Sequence, residues 1–289
     1  MSAIHETKQH GKQSFPYTIY GGRLPEWLSG FPLHWHDEME IIRVTKGSMI
    51  VGIQNKDYIL NEGDIALIQP QLIHCIKQDG NRKAHYFNIL FRLSLLYGNN
   101  DVCADNYLHP IYTGEFIIPK HLPINDALNI SISPYIRRLA EITLSGKDRQ
   151  ELMIKSCLFA VMHYLSSSVE PESQKDQQQR NLYDKLKKSL DYIREHYAEE
   201  ITVERAASIS NFSASHFSKM FRQLTGSPFN KYLINYRLET AAKKLTEENA
   251  AVSEIAFACG FNNLSYFTRA FRNKYGMTPH HYKNKTPPG

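Results

Sequence analysis

HFSKMFRQLTG at 216–226 and YFTRAFRNKYG at 266–276 are one segment written twice, 50 residues apart. Phe217/Phe267, Phe221/Phe271, Arg222/Arg272 and Gly226/Gly276 are identical, and Ser218/Thr268 and Lys219/Arg269 are chemically alike. Upstream, ERAAS at 204–208 aligns with SEIAF at 253–257 at an offset of 49, ahead of Phe212 and Phe261. Each unit reads as a helix with small residues, a short turn and a second helix. The two Phe of the second helix are four apart and share a buried face, while the Ser, Lys and Arg point elsewhere. Ala207 and Ala256 let the helices cross closely, and a glycine ends each second helix as a C′ residue should. This is a helix-turn-helix, with the second helix free to enter a major groove. A duplicated hairpin in a plain helical bundle gives no reason to repeat the cations. Two such helices about one turn of B-DNA apart, roughly 34 Å, read successive major grooves from one face.

Charge supports the same partner. Residues 1–180 carry 18 Lys and Arg against 19 Asp and Glu, and residues 205–289 carry 12 against 4. A near-neutral first part joined to a basic last third suits a sensor or enzyme attached to a binder of an anionic polymer, double-stranded DNA. The 289 residues suggest two domains, and 42% hydrophobic content excludes wholesale disorder. No apolar run approaches the roughly 18 residues of a membrane span, and residues 1–15 lack the apolar core of a secretory signal. Cys75, Cys103, Cys157 and Cys259 are scattered without a CxxC pair. They read as free thiols in a reducing cytoplasm.

The run from Ile201 to Tyr282 resembles the DNA-binding domain of the AraC/XylS family of bacterial transcription regulators. The residues that carry the resemblance are 217–222 with Gly226-Ser227-Pro228, Arg237-Leu238, Ile255-Ala256 with Cys259-Gly260-Phe261, 265–272, and Gly276-Met277-Thr278-Pro279. The resemblance implies seven helices, with a long helix at about 228–246 joining the two units. It places base-facing positions at Ser215, Ser218 and Lys219 in the first unit. In the second they fall at Leu264, Ser265, Thr268 and Arg269. Lys219 and Arg269 suit guanine O6/N7, and Leu264 departs from a polar reader. Arg222, Arg272 and Lys274 are expected on phosphates, which position without specifying.

The first part of the chain has a different period. Short apolar or alternating runs at 40–44, 49–53, 65–68 and 86–91 are separated by Gly- and Asn-containing turns, as in a β-sandwich or barrel. From Ile132 to Leu165 the apolar spacing becomes helical. Ile136, Leu139 and Thr143 form one stripe and Met153, Leu158, Val161, Met162 and Leu165 another, with a break at 145–147. Residues 166–180 are polar and read as a linker. The expected fold is therefore a two-domain chain. A sensing β-barrel spans 1–130, a helical packing or dimerisation segment 131–165 and a linker 166–180. An all-α DNA-binding domain with two helix-turn-helix units spans 181–289.

Within the barrel, His34, His36 and Glu40 share strand parity and so project to one face, and His74 follows Gly63 and Pro70. This resembles the two motifs of the cupin barrel, HxHxxxE with a glycine at Gly47, and a second motif ending in His. The second motif departs from the pattern. Its glycine-to-proline spacing is one residue longer, Leu72 stands where a second glycine belongs, and no asparagine follows His74. The resemblance implies a divalent metal on His34, His36, Glu40 and His74, a donor set that suits one. The same residues also read as a polar effector pocket or as structural histidines. Trp27, Phe31 and Trp35 are candidates to stack on a sugar face, or core. Asp37 and Glu38, as strand neighbours, face opposite sides and do not form an acid–base pair.

No Walker loop, GxGxxG after a strand or GxSxG is present. The expected function is a cytoplasmic, homodimeric transcription regulator of the activator type, not an enzyme. It senses a sugar or carbohydrate derivative and engages RNA polymerase. The alternatives are a metal-dependent cupin enzyme fused to a DNA-binding module, and a structural DNA-binding protein with a vestigial barrel.

Overall fold

The computed structural model describes residues 4–6, 9–25 and 30–285. It divides into two compact units, with the division in the chain between Gln179 and Arg180. Trp27 lies outside the described residues.

The N-terminal unit is a nine-stranded β structure. Its strands are β1 (Ile4–His5), β2 (Tyr17–Leu24), β3 (Gly30–Trp35), β4 (Met39–Ile53), β5 (Lys56–Asn61), β6 (Ile65–Ile68), β7 (His74–Gln78) and β8 (Ala84–Phe91). After a helical turn, α1 (His109–Thr113), and strand β9 (Phe116–Ile117), β10 (His121–Leu122) completes it. The runs expected as separate strands at 40–44 and 49–53 are one strand, β4, 15 residues long. Its first half pairs with β6 and β8, and its second half with β5 and β7. The switch lies at a bulge between Val44 and Lys46, followed by Gly47 at φ +78°. A Cβ on Gly47 would lie 1.9 Å from the Lys83 carbonyl oxygen, so only glycine fits there. One extra residue also reverses the parity of the strand. Ile42 and Val44 face the barrel interior before the bulge, and Met49, Val51 and Ile53 face it afterwards.

The other face of the first sheet is covered by helices. Met39, Ile41, Ile65, Leu67, Ile89 and Phe91 form a second core with Ile132, Ile136 and Leu139 of α2 (Ala127–Ser145). Ile154, Leu158, Val161 and Leu165 of α3 (Glu151–Ser166) join it. Asp126 caps α2 by accepting from Leu128 and Asn129 N–H, and Gly146 ends it in the left-handed conformation. Met153, expected on the buried stripe, is 44% exposed, and Ile154 takes that place.

Residues 166–180 are not a plain linker. Strand β11 (Glu170–Pro171) pairs with β9, and α4 (Gln174–His196) begins six residues before the boundary at 180. Uniformly polar composition cannot separate a linker from a solvated helix turn.

The C-terminal unit holds seven helices among the described residues: α4, then α5 (Val203–Ile209), α6 (Ala214–Thr225), α7 (Phe229–Glu247), α8 (Val252–Ala258), α9 (Leu264–Tyr275) and α10 (Pro279–Lys285). The sequence repeat is a repeat of caps and core. Ser213 accepts from His216 N–H and Asn263 from Tyr266 N–H at the two second-helix N-termini, and Gly226 and Gly276 close both in the left-handed region. Phe217, Phe221, Phe267 and Phe271 are each wholly buried. Arg237 of α7 donates from Nε to Tyr197 O and from Nη2 to Glu199 O, both at 2.7 Å. It therefore fastens the connecting helix to the end of α4. Ser189 donates to Ala206 O at 2.6 Å, which ties α4 to α5.

Gly47→Ala is expected to destabilise the N-terminal unit by about 2–4 kcal/mol, from strain and steric overlap together. The measurement is its urea midpoint, and an unchanged midpoint would refute the assigned hinge.

Candidate functional site

The four residues singled out in the barrel come together. His34 on β3 stands directly across from His74 on β7 in the strand register. Glu40 lies near the start of β4, on the inward face with Ile42 and Val44, and His36 sits in the β3–β4 turn. One ligand atom from each of the four lies within 4.8 Å of all the others, and all four residues are buried. The imidazole centroids of His34 and His74 are 4.0 Å apart, and those of His36 and His74 are 4.9 Å apart.

Hydrogen bonding fixes how these rings face. Nδ1 of His34 lies 2.8 Å from Pro32 O, Nδ1 of His36 3.2 Å from Glu38 O, and Nδ1 of His74 2.8 Å from Leu72 O. A carbonyl oxygen only accepts, so each Nδ1 carries the hydrogen and donates. In the neutral rings Nε2 is then a lone pair, and those of His36 and His74 face Glu40. Glu40 Oε2 is 3.3 Å from His36 Nε2 and 2.9 Å from His74 Nε2. The His74 contact is out of alignment, and its buried Nε2 has no hydrogen-bond partner. Asn88 Nδ2 donates to Glu40 Oε1 at 2.7 Å and steadies the carboxylate.

The electrostatics favour positive charge on His36 and negative charge on Glu40. Burial pushes the His36 imidazole down, but its bond to Glu40 and the charges of Glu40, Glu38 and Glu6 outweigh this and raise it. Burial and the adjacent His74 hold His34 well below its ordinary value. Glu40 is fully buried, which opposes ionisation, yet His36 and His74 keep it well below the usual carboxylate range. Four acceptors facing one another need a cation between them, a shared proton or a metal. Outward Nδ1–H bonds that orient each ring are the usual support of a metal-ligating histidine. The unpartnered His74 Nε2 and the donor set together fit a divalent transition metal held by His34, His36, His74 and Glu40.

Of the aromatics considered for this site, Phe31 reaches it. Its ring lies 4.7 Å from that of His34, edge-on, and it is 44% exposed. Trp35, expected among the effector residues, lies in the buried core of β3. Strand alternation turns it away from its neighbours His34 and His36, and it is buried at 3% exposure. Asp37 and Glu38 are joined, though not as an acid–base pair. Arg92 donates from Nε to Glu38 at 2.9 Å and lies 3.6 Å from Asp37. Glu6, His10 and Asn88 border the cluster without any local sequence signal, since each arrives from a distant segment.

On the helical unit, Ser215, Ser218, Lys219 and Arg222 are exposed on α6. Ser218, Lys219, Arg222 and Gln223 line one shallow groove, and Thr268, Arg269, Arg272 and Asn273, with Leu264 and Ser265, line another. The first four residues of each set are the repeat equivalents of one another. Arg269 lies over the Tyr266 ring at 5.8 Å, which restrains its guanidinium. Lys274, expected on a phosphate, is paired within the unit. Its Nζ is 2.6 Å from Glu239 Oε1 and 3.3 Å from Asn235 O, so it is paired with α7.

Lys274→Ala is therefore expected to leave DNA affinity unchanged within about twofold. Arg272→Ala should reduce the slope of log affinity against log salt by about one. Salt titrations of both variants on the same duplex check this, and equal slopes would reverse the two assignments.

Residues 206–285 match the helix-turn-helix domain family, and residues 16–100 match the AraC-like ligand binding domain family. The chain is 23% identical over 281 residues to the uncharacterized HTH-type transcriptional regulator YdeC of Bacillus subtilis (strain 168), covering 97% of this chain and 96% of that protein. It is 26% identical over 286 residues to the HTH-type transcriptional activator RhaS of Salmonella heidelberg (strain SL476), covering 96% of each. Among solved structures, the DNA-binding domain of AdpA in complex with a target DNA is 31% identical, covering 35% of this chain and 90% of that one at a TM-score of 0.34. No helix among the described residues is long and apolar enough to cross a membrane. A sensor-type barrel and a doubled helix-turn-helix, shared with relatives along almost the whole chain, make this protein a member of the AraC family of transcriptional regulators with an AraC-like ligand-binding domain.

Proposed function

We propose that the protein is a transcription activator that reads DNA in the cytoplasm through α6 and α9 and responds to a carbohydrate-type small molecule at the barrel's histidine–carboxylate cluster. The observation that carries the DNA half is the equivalence of the two exposed grooves. Lys219 and Arg269 hold the same repeat position, as do Ser218 and Thr268, and Arg222 and Arg272. Arg269 and Lys219 donate to guanine edges, Ser215, Ser218, Ser265 and Thr268 make the less discriminating contacts, and Leu264 meets a thymine methyl. Arg222 and Arg272 hold the phosphates. Activation requires contact with RNA polymerase. The apolar residues left exposed on α2 and α3, Ile130, Leu144 and Leu152, support a homodimer.

In the barrel, the convergence of three oriented imidazoles on one buried carboxylate supports a divalent metal on His34, His36, His74 and Glu40. When bound, the metal supplies a Lewis-acidic centre that accepts oxygen donors of the effector. The chain's own part is to hold the rings through Pro32, Glu38 and Leu72 and the carboxylate through Asn88. An effector changes transcription only by its difference in affinity for two arrangements of the protein.

Arg269→Ala should lower affinity for the cognate operator by about 1–3 kcal/mol and affinity for random DNA far less. Equal losses in a paired binding assay would make Arg269 a phosphate contact. Elemental mass spectrometry should find near-stoichiometric metal in the purified protein and its loss in His36→Ala. A metal-free wild type would leave the cluster as an organic-effector pocket.

A further inference from the structure

The N-terminal segment brings a second carboxylate to the cluster. Glu6 N–H donates to Trp35 O at 2.9 Å, which fixes the segment beside β3. Its carboxylate then lies with Oε2 3.7 Å from His34 Nε2 and Oε1 3.5 Å from His10 Nε2. The imidazoles of His34, His36 and His74 retain only 7, 1 and 1% exposure, whereas the Glu6 side chain retains 19%. Glu6 is thus the most exposed of the ionisable groups on the cluster. His10 is 3% exposed, and its buried Nε2 has no hydrogen-bond partner. Its Nδ1 lies 3.3 Å from Tyr20 Oη, which orients the ring. A buried, oriented imidazole whose Nε2 has only a 3.5 Å ion-pair contact with Glu6 and no hydrogen bond is a group that a further oxygen would satisfy.

We propose that the Glu6 carboxylate is an internal oxygen donor on the outward face of the metal cluster, and that it holds the place of the carboxylate of an effector of the sugar-acid class. This rests on the reading of the cluster as a metal site. An entering carboxylate would take the place of Glu6, with one oxygen toward the metal that His34, His36, His74 and Glu40 would hold and the other toward His10 Nε2. A neutral sugar offers no anionic oxygen to compete with Glu6.

The test uses the full chain loaded with Co(II), whose visible absorption reports the donors around the ion, in the wild type and in Glu6→Gln. Both proteins should bind one Co(II), with different visible spectra. D-Glucuronate should perturb both spectra, at about tenfold lower concentration in Glu6→Gln because the internal competitor is gone. D-Glucose should perturb neither. Superimposable spectra and titrations in the two proteins would overturn the role of Glu6. A spectral difference with no response to glucuronate would overturn the effector class. Absence of Co(II) bands from both proteins would instead overturn the metal reading on which the proposal stands.

Discussion

Strand β4 belongs to two sheets at once, and the bulge and left-handed backbone at 44–47 are what allow it. Without the reversal of parity there, either Ile42 and Val44 or Met49, Val51 and Ile53 would face away from the interior. Each such side chain contributes roughly 1.5–3 kcal/mol when buried. The same constraint sets the position of the site. Glu40 shares the inward face with Ile42 and Val44, so whatever fixes their burial also fixes the carboxylate among the histidines. The first sheet then hides its other face beneath α2 and α3, which leaves the interior end of β4 as the polar spot of the barrel.

The helical unit meets its constraint by repetition. A two-helix hairpin of this length has too little apolar surface to stand alone. Here each unit buries its Phe pair against further aromatics supplied by the connecting and final helices. Phe221 packs edge-on to Phe229 and Tyr232 of α7, and Phe271 packs edge-on to Tyr282 of α10 as well as against Tyr275 of its own helix. Arg237 is spent on main-chain carbonyls at 197 and 199, and Lys274 on Glu239. The basic third is therefore less uniformly available to an anionic partner than its charge count suggests. Among the described residues of this unit, exposed cations line both second helices, at Lys219, Arg222, Arg269 and Arg272.

Elements whose signal is local were legible in the sequence. The repeat marked both helix-turn-helix units because caps, Phe pairs and cations recur at fixed spacing. The parity of His34, His36 and Glu40 grouped three residues that do meet, although they stand on β3, the turn after it and β4 rather than on one strand. Features that depend on a distant neighbour were not legible. Lys274 looked like a free cation until Glu239 arrived from α7. Lys46-Gly47 looked like a turn between strands, since the signals for a turn and for a bulged bend are the same residues. Polar residues 174–180 gave the same reading as a linker because a solvated helix turn needs no apolar stripe. Glu6 and His10 sit in a polar leading segment where nothing in the local pattern points to a buried site.

Stability gives no reason to keep this cluster. The interior beside it is filled by Ile42, Val44, Met49, Val51, Leu60 and Ile76. Apolar side chains of similar volume at the four positions would pack as well and avoid the desolvation of a buried carboxylate, a replacement that is often neutral or stabilising. A buried polar atom left unpaired, such as His74 Nε2, costs about 1–3 kcal/mol. The chain nevertheless commits three backbone carbonyls and Asn88 to holding these groups in one orientation. Local violations of packing economy that are actively oriented belong to binding sites more than to cores. The orientation here is also specific. Every Nδ1 is occupied, the Nε2 atoms of His36 and His74 face Glu40 and that of His34 faces Glu6, and that arrangement favours a cation at the centre over any neutral filling.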